Sequence, residues 1–237
     1  CPNTTLRPAS RVAALLVVSL LWTFATPAQA GYQQRSLGNL LDLLRTVFTE
    51  DGILAKEALA PLAMLEFGNQ EIHDYQRTQP YPIFDHFGFN VLGILDQSKH
   101  TLSSQTAEHP DYFSARPFFH HMGILDYTSI DYNGDLGAIK ADVRHDIGEV
   151  LSHRQFDIVT NTGFSEHVGE YDTEANLAKN QYAVFKNLHD AGKAGAVYFH
   201  DVPFKTSFHR HGMAHYDASF FRALIERNGY RQCSLFV

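Results

Sequence analysis

The sequence lacks the features that would place it in several large protein classes. It contains only two cysteines, Cys1 and Cys233, which excludes the disulfide framework of small secreted domains. Its 19 lysines and arginines face 26 aspartates and glutamates, so the net charge is −7, and no five basic residues follow one another. Because nucleic acid phosphates are bound by clustered lysine and arginine, we expect no nucleic acid partner.

Common cofactor and metal motifs are missing as well. No G-x-G-x-x-G loop occurs, and such a loop is what lets backbone approach the pyrophosphate of a dinucleotide. Neither HExxH nor CxxC occurs, although four histidines lie close together in the chain: His200, His209, His211 and His215. Histidine spacing alone indicates zinc only weakly, so we expect no bound metal and keep a histidine-site metallohydrolase as an alternative.

Residues 1–30 differ from the rest of the chain. Arg7 and Arg11 precede an uncharged run at residues 12–25, and Ala28 and Ala30 follow in a small-x-small pattern. A basic region, a short apolar run and such a site are typical of an export signal. An uncleaved membrane anchor through residues 12–25 is the alternative, although this run is short for a membrane-spanning helix. We therefore expect an exported or membrane-anchored protein if the signal acts, and a cytoplasmic one otherwise.

Short apolar segments alternate with amphipathic ones in residues 31–237, which have the length of a single domain. Strands are predicted at 62–67, 126–134, 137–143, 156–163, 196–202 and 232–237, and helical spacing occurs at 36–48, 175–191 and 217–228. Apolar strands that alternate with helices predict an α/β fold with a mostly parallel sheet and helices on both faces. Residues 73–115 show no sustained period and predict an inserted lid.

Polar residues follow each predicted strand, where the carboxyl ends of a parallel sheet form a ligand-binding crevice. They include Glu66, Gly68, Asn69, Asp131, Asp142, Asn161, Gly163, His167 and His200. An acid such as Asp131, at the end of the second strand of a nucleotide-binding half, can accept hydrogen bonds from ribose hydroxyls. The absence of a phosphate-binding loop after Glu66 counts against a dinucleotide and is compatible with a nucleoside cofactor that has no phosphate.

Several segments resemble class I S-adenosylmethionine-dependent methyltransferases, and together they cover residues 58–237. These are "MLEFGNQ", "YTSIDYNG", "IKADVRHD", "FDIVTNTGFSEHV", "NQYAVFKNLHD", "AGAVYFHDVP" and "DASFFRALIERNGY". The block from Phe156 to Asp190 is the most specific part. The resemblance implies a Rossmann-like α/β fold with S-adenosylmethionine as cofactor. The chain departs from the family in a glycine loop reduced to Gly68. It also ends before the family's seventh, antiparallel strand, so we expect a truncated sheet.

The resemblance also implies where the parts of the cofactor lie. Glu66, Gly68 and Asn69 would stand beside its methionine part, and Gly68 would let the backbone come close. Asp131 would accept hydrogen bonds from the ribose hydroxyls. These residues follow the first two strands of the predicted sheet and would form one wall of the site.

The opposite wall is implied in the same way. Asp142 would accept a hydrogen bond from the adenine amino group, and Val143 would lie against the adenine ring. Asn161 and Gly163, at the end of the fourth strand, would border the sulfonium.

Methyl transfer is a displacement at carbon, for which the protein aligns donor and acceptor and deprotonates a poorly nucleophilic acceptor. His167 and His200 follow the fourth and fifth strands and are the candidate general bases. These histidines can equally position the cofactor or cap local helices. The sequence predicts methyl transfer to a small-molecule acceptor, and a catalytically inactive cofactor-binding protein is the alternative.

Overall fold

Nine strands form two sheets in the computed structural model, which describes residues 15–21, 32, 34–49, 56–73, 112–169, 172–205 and 212–236. The strands are β1 (Leu15–Leu21), β2 (Ala63–Phe67), β3 (Glu71–His73), β4 (Tyr112–Ser114), β5 (Asp126–Asp131), β6 (Ile139–Lys140), β7 (Phe156–Thr162), β8 (Gly192–Pro203) and β9 (Arg231–Phe236). Seven of them form the main sheet in the order β6-β5-β2-β7-β8-β1-β9. Every pairing in this sheet is parallel, which confirms the predicted sheet type.

Helices cover both faces of the main sheet. They are α1 (Gln34–Phe48), α2 (Lys56–Leu59), α3 (Ala115–Met122), α4 (Glu174–Ala191) and α5 (Ala218–Asn228). Apolar residues of α1 and α3 pack with Met64 and Ile158 in one core layer. Apolar residues of α4 and α5 pack with Leu65 and Val159 in the other layer. Because neighbouring residues of a strand point to opposite faces, this arrangement explains why these strands are apolar throughout and confirms the α/β fold.

The helix ends follow ordinary capping chemistry. The Asp217 side chain accepts a hydrogen bond from Phe220 N at 2.9 Å and so begins α5, which ends at Gly229 with φ +68°. The Ser114 side chain caps α3 in the same way. Pro117 lies in the first turn of α3, where the backbone amides have no partner within the helix, so the helix accepts proline there.

Residues 15–21 form β1, which lies between β8 and β9 and pairs with both. A segment held inside the sheet cannot cross a bilayer at the same time, so the strand and the predicted anchor are mutually exclusive states of these residues. Among the described residues, no helix is both long enough and apolar enough to cross a membrane. Whether residues 1–30 act as an export signal or an anchor stays a prediction.

The predicted insertion leaves and re-enters the domain at one place. The strands β3 and β4 pair antiparallel, with Ile72 opposite Phe113, so the two ends of the insertion lie side by side. Residues 74–111, which make up most of the predicted lid, lie outside the described residues. The strand pair joins the loop after β2 to the start of α3, where Ala115 N donates a hydrogen bond to Gln70 O at 3.0 Å.

Candidate functional site

A cavity of about 500 Å³ lies beyond the carboxyl ends of the four neighbouring strands β6, β5, β2 and β7. Cavities of roughly 300–1,000 Å³ accommodate small molecules and cofactors. Seven of the predicted site residues line its wall: Gly68, Asn69, Asp131, Asp142, Val143, Gly163 and His167. The other three, Glu66, Asn161 and His200, are buried in the protein and do not line it. The structure thus forms the predicted crevice from most, but not all, of the predicted residues.

Gly68 begins the first wall with a backbone conformation that suits glycine. Its φ is +89°, which is unfavourable for residues with a Cβ atom. A Cβ atom at this position would lie 2.4 Å from Gln70 Nε2 and 2.9 Å from the ring of Phe164. Both the torsion angle and the lack of space therefore require glycine, and the bare backbone of this residue faces the cavity.

Asp131 holds the first wall together from the end of β5. Its Oδ2 atom accepts a hydrogen bond from Asn69 N at 2.9 Å, and Oδ1 accepts one from Asn133 N at 3.1 Å. A carboxylate oxygen can accept two hydrogen bonds, so each oxygen keeps a further acceptor position. The carboxylate is fixed in orientation before any ligand arrives, as a receptor for two adjacent hydroxyls requires.

Asp142 is already paired with an arginine that the sequence analysis did not single out. Arg144 donates to Asp142 Oδ2 from Nη2 at 2.7 Å and to Asp142 Oδ1 from Nε at 2.9 Å. The hydrogen bond with Arg144 lowers the pKa of Asp142. The second guanidinium nitrogen, Nη1, lies 3.6 Å from Asp172, so Arg144 joins two loops of the cavity wall. An adenine amino group would have to share the Asp142 carboxylate with Arg144.

Aromatic side chains complete the wall and were also missed. Phe164 follows Gly163, lines the cavity and packs edge-to-face against Phe67, with the ring centroids 6.1 Å apart. Tyr132 follows Asp131 and lines the cavity while 67% of its surface is exposed. Each residue directly follows a predicted site residue, and this adjacency is the sequence signal by which they could have been found.

Of the two candidate bases, only His167 lines the cavity. It ends the short 3-10 turn Ser165–His167, which follows Gly163 at the end of β7. His167 and Gly163 therefore belong to one loop, the loop that the family resemblance puts beside the sulfonium.

The prediction that His200 acts as a base at the site is wrong. Only 2% of His200 is exposed, and its ring stacks on Phe185 with the centroids 5.4 Å apart. Burial lowers the pKa of His200 to about 3, so the imidazole is neutral and shielded from any ligand in the cavity. The physical reason is strand geometry, since alternate residues of a strand point to opposite faces.

Asn161 does not border the cavity either, which corrects its predicted place beside the sulfonium. It lies opposite His200 in the paired strands, and its Nδ2 atom is 3.1 Å from His200 Nδ1. The same Nδ2 donates to Ser165 Oγ at 2.9 Å, and Oδ1 accepts from Ser165 N at 3.1 Å. Asn161 therefore holds the start of the turn that carries His167.

A hydrogen-bond network extends from Asn161 and Ser165 to α4. Ser165 Oγ lies 2.8 Å from the hydroxyl of Tyr216, which donates to Gln181 Oε1 at 2.5 Å. Gln181 Nε2 donates in turn to Ser165 O at 2.7 Å and to Val168 O at 3.2 Å. Asn161, Ser165 and Gln181, three polar residues of the most specific sequence block, thus fix the His167 loop and do not line the cavity.

The same helix fixes the opposite wall. Asn187 of α4 donates from Nδ2 to Val143 O at 2.9 Å and to His145 O at 2.7 Å. These two carbonyls flank Arg144, so the loop that carries Asp142 and Arg144 is held from behind by a buried amide. One helix therefore positions two separate walls of the cavity.

Glu66 faces away from the cavity, which corrects its predicted contact with the methionine part of a cofactor. It is fully buried at the end of β2, and its Oε2 atom accepts hydrogen bonds from the hydroxyl of Tyr127 and from Gln70 N. Burial raises the pKa of Glu66 to about 7. The carboxyl group belongs to the core layer beside α1 and α3.

A metal centre is not found among the described residues. No group of three histidine, cysteine, aspartate or glutamate side chains in this part of the chain is arranged to hold a metal ion. Two of the four clustered histidines, His209 and His211, lie outside the described residues, and His200 is buried. The metallohydrolase alternative stays a prediction that metal analysis of the purified protein would test.

No protein-family model matches the chain, and neither a curated protein nor a solved structure does. The fold assignment rests on the strand order, the parallel pairings and the two core layers. The resemblance to class I methyltransferases rests on the quoted sequence segments and stays a prediction. The function has to be inferred from the geometry and the charge of the cavity.

Proposed function

We propose that the cavity binds S-adenosylmethionine and that the protein transfers its methyl group to a small-molecule acceptor. The observation that carries the proposal is the pairing of Asp131 with the bare backbone of Gly68 on one wall. The oriented carboxylate of Asp131 suits two ribose hydroxyls, and the glycine lets a ligand approach the main chain. Val143 and Phe164 supply apolar surface for a flat ring.

The charge on the wall supports a cofactor without phosphates. Among the described residues, three aspartates, Asp131, Asp142 and Asp172, line the cavity together with one arginine, Arg144, and no lysine. Arg144 is already paired with two of these aspartates, so little positive charge remains for an anion. A phosphate group would meet net negative charge, whereas a sulfonium cation would be attracted.

The catalytic demand on the protein is modest in this proposal. The reaction needs the acceptor nucleophile in line with the sulfonium, and this alignment alone lowers the barrier considerably. His167 is the proposed base for acceptors that must lose a proton, because it lies on the same loop as Gly163 and faces the cavity. The acceptor itself is expected to be a small molecule that enters beside this loop.

Isothermal titration calorimetry with four ligands tests the proposal. S-adenosylmethionine and its demethylated product, S-adenosylhomocysteine, are expected to bind, whereas ATP and NAD⁺ are expected not to bind. The variant Asp131→Ala serves as the control for site-specific binding. Binding of ATP or NAD⁺ in preference to the sulfonium compound would contradict the proposal, and so would the absence of any binding by the folded protein.

A catalytically inactive cofactor-binding protein is the second candidate. The observation in its favour is the burial of His200, which leaves His167 as the one predicted base on the wall. In this case S-adenosylmethionine would bind, but no methyl group would leave it with any acceptor offered. Transfer of a labelled methyl group by the wild-type protein, lost in His167→Ala, would exclude this candidate.

A further inference from the structure

Glu66 lies at the centre of a buried polar cluster behind the cavity wall. Its carboxyl group is fully buried and accepts a hydrogen bond from the hydroxyl of Tyr127 on β5. Tyr32, which precedes α1, faces the same carboxyl group and is itself fully buried. Arg116 of α3 is the cation of this cluster, and its guanidinium lies 5.4 Å from the centre of the Tyr127 ring. Within the part of the chain that the structure describes, the titratable and charged groups that face Glu66 are two tyrosines and one arginine.

The cluster is connected directly to the cavity. Glu66 Oε2 accepts a hydrogen bond from Gln70 N at 3.3 Å, and Gln70 lines the cavity. The preceding amide, Asn69 N, is held by Asp131 at 2.9 Å from the other side. Two carboxyl groups thus hold consecutive amides of one loop, Asp131 from the ligand side and Glu66 from the core side.

This arrangement leaves little freedom in the loop between the two carboxyl groups. Gly68 N donates to Ile130 O at 2.9 Å, and Gln70 Nε2 donates to Phe67 O at 3.2 Å. The hydrogen bonds from the Tyr127 hydroxyl and from Gln70 N both end on Oε2, so neither of these donors occupies Oε1, and a proton on the neutral acid would sit there. A change in the charge of Glu66 therefore acts on the cavity wall through one backbone amide.

We propose that Glu66 is a positioning residue for the cavity: it holds the Gly68–Gln70 loop in its ligand-ready form through Gln70 N and couples that loop to proton uptake in the core. The carboxyl group itself touches no ligand. Its protonated form fits the apolar layer beside α1 and α3, and loss of the proton places an anion there. Burial of such an anion is costly, so the ionised state favours a loop that has moved toward water.

Hydrogen exchange of the free protein tests this inference without any ligand. Protection factors of the residue 66–73 backbone are measured by mass spectrometry between about pH 5.5 and 8.5, with rates corrected for intrinsic exchange. In the wild-type protein, protection is expected to fall as the pH rises through about 7. Glu66→Gln is expected to keep the protection and to lose its pH dependence, because the amide oxygen still accepts from Gln70 N.

Two further variants complete the design. Glu66→Ala is expected to lower the protection of this segment by about tenfold or more, since Gln70 N then lacks its acceptor. Glu57→Gln, at an exposed position of helix α2, is the matched control and is expected to behave as the wild-type protein. If Glu66→Ala does not fold, the pH profile of Glu66→Gln decides alone.

Either of two results would overturn the inference. The first is a wild-type pH profile that persists in Glu66→Gln, and the second is unchanged protection in a folded Glu66→Ala protein. Because these measurements involve no cofactor, they stand apart from the proposed methyltransferase function. Failure of S-adenosylmethionine to bind would leave the exchange result intact, and failure of the exchange prediction would leave the cofactor proposal intact.

Discussion

Asp131 Oδ2 accepts a hydrogen bond from Asn69 N at 2.9 Å, and this bond ties the end of β5 to the loop after β2. These two strands are neighbours in the sheet, so the contact closes the gap between their carboxyl ends. The same carboxylate lines the cavity. Asp131 therefore has two roles that mutation would remove together: it shapes the wall and it offers acceptor atoms to a ligand.

Asp131→Ala is expected to weaken the binding of S-adenosylmethionine strongly. Two charge-assisted hydrogen bonds to ribose hydroxyls would be lost, each worth roughly 1.5–3 kcal/mol. Solvent compensation reduces the total to about 2–4 kcal/mol, or about thirty- to a thousandfold in Kd measured by calorimetry.

The matched control for this variant is Asp126→Ala at the other end of the same strand. Asp126 is exposed and pairs with Arg154 at 2.5 Å, an ion pair worth at most about 1 kcal/mol to stability. Its loss is expected to change the Kd by less than about threefold, within the usual scatter of surface substitutions. Equal losses of affinity in the two variants would contradict the ribose role of Asp131.

Gly68→Ala is expected to reduce both stability and ligand affinity. The positive φ costs an alanine about 1–2 kcal/mol, and the new methyl group would press on Phe164 in the cavity wall. We expect a total loss of about 3 kcal/mol in the free energy of unfolding, measured by chemical denaturation, together with weaker cofactor binding.

Gly195→Ala separates the cost of the positive φ from the cost of crowding against Phe164. Gly195 has nearly the same φ, +86°, but a Cβ atom there would have no neighbour within 4 Å. This variant is therefore expected to lose only the conformational part, about 1–2 kcal/mol, and to bind the ligand normally. A Gly68→Ala protein as stable as Gly195→Ala would show that the space beside Phe164 can adapt.

The pH dependence of stability is expected to carry the signature of Glu66. Its pKa is raised from 4.5 to about 7 by burial, so between these values the folded protein holds a proton that the unfolded chain has lost. Stability from this group is present below pH 4.5 and is lost as the pH rises toward 7, by about 3 kcal/mol in all. Denaturant unfolding of wild-type and Glu66→Gln proteins at several pH values measures the difference, and parallel profiles would contradict it.

His200 is expected to give the free energy of unfolding the opposite pH dependence. Burial lowers the pKa of His200 from 6.5 to about 3, so below pH 6.5 the unfolded chain binds a proton that the folded protein does not bind. Stability from this group is therefore lost as the pH falls from 6.5 toward 3. Since the two slopes oppose each other between pH 4.5 and 6.5, the wild-type profile is expected to be flat there. The Glu66→Gln protein is expected to become more stable as the pH rises over the same interval.

Tyr216→Phe is expected to destabilise the protein and to loosen the His167 loop. The buried hydroxyl bridges Ser165 and Gln181, and its removal leaves a partly buried acceptor on Gln181 without this donor, at a cost of about 1–3 kcal/mol. Tyr182→Phe is the control, because 70% of Tyr182 is exposed, and we expect a change within about 0.5 kcal/mol. Denaturation of both variants measures these effects, and a neutral Tyr216→Phe would contradict the proposed importance of the network.

Most strands of the main sheet were predictable because that sheet is covered by helices on both faces. Parallel strands covered by helices must be apolar throughout, so runs such as Phe156–Thr162 predict strands, and alternation with helices predicts the fold class. The positions of Asp131 and Gly68 followed from the rule that ligands bind at the carboxyl ends of such strands. These features depend on local chemistry and chain order, and both are written in the sequence.

The face to which each strand-end side chain points was decided only by the tertiary structure. A strand that is apolar on both sides has no alternating pattern to show which residues face the cavity, so Glu66, Asn161 and His200 could not be told from true wall residues. Their burial beside α1, α3 and α4 depends on helices distant in the chain. The role of Arg144 was hidden for the same reason, since Asp172 meets it only in the folded protein.

Residues 15–21 show most clearly that the composition of a segment does not determine which structure it forms. Their apolar sequence determines that they will leave water, but an export signal, a membrane anchor and a buried strand all satisfy that requirement. The choice of a place between β8 and β9 depends on unpaired backbone groups of two strands near the other end of the chain. Hydrophobicity is a property of the segment alone, whereas pairing is a property of the whole fold.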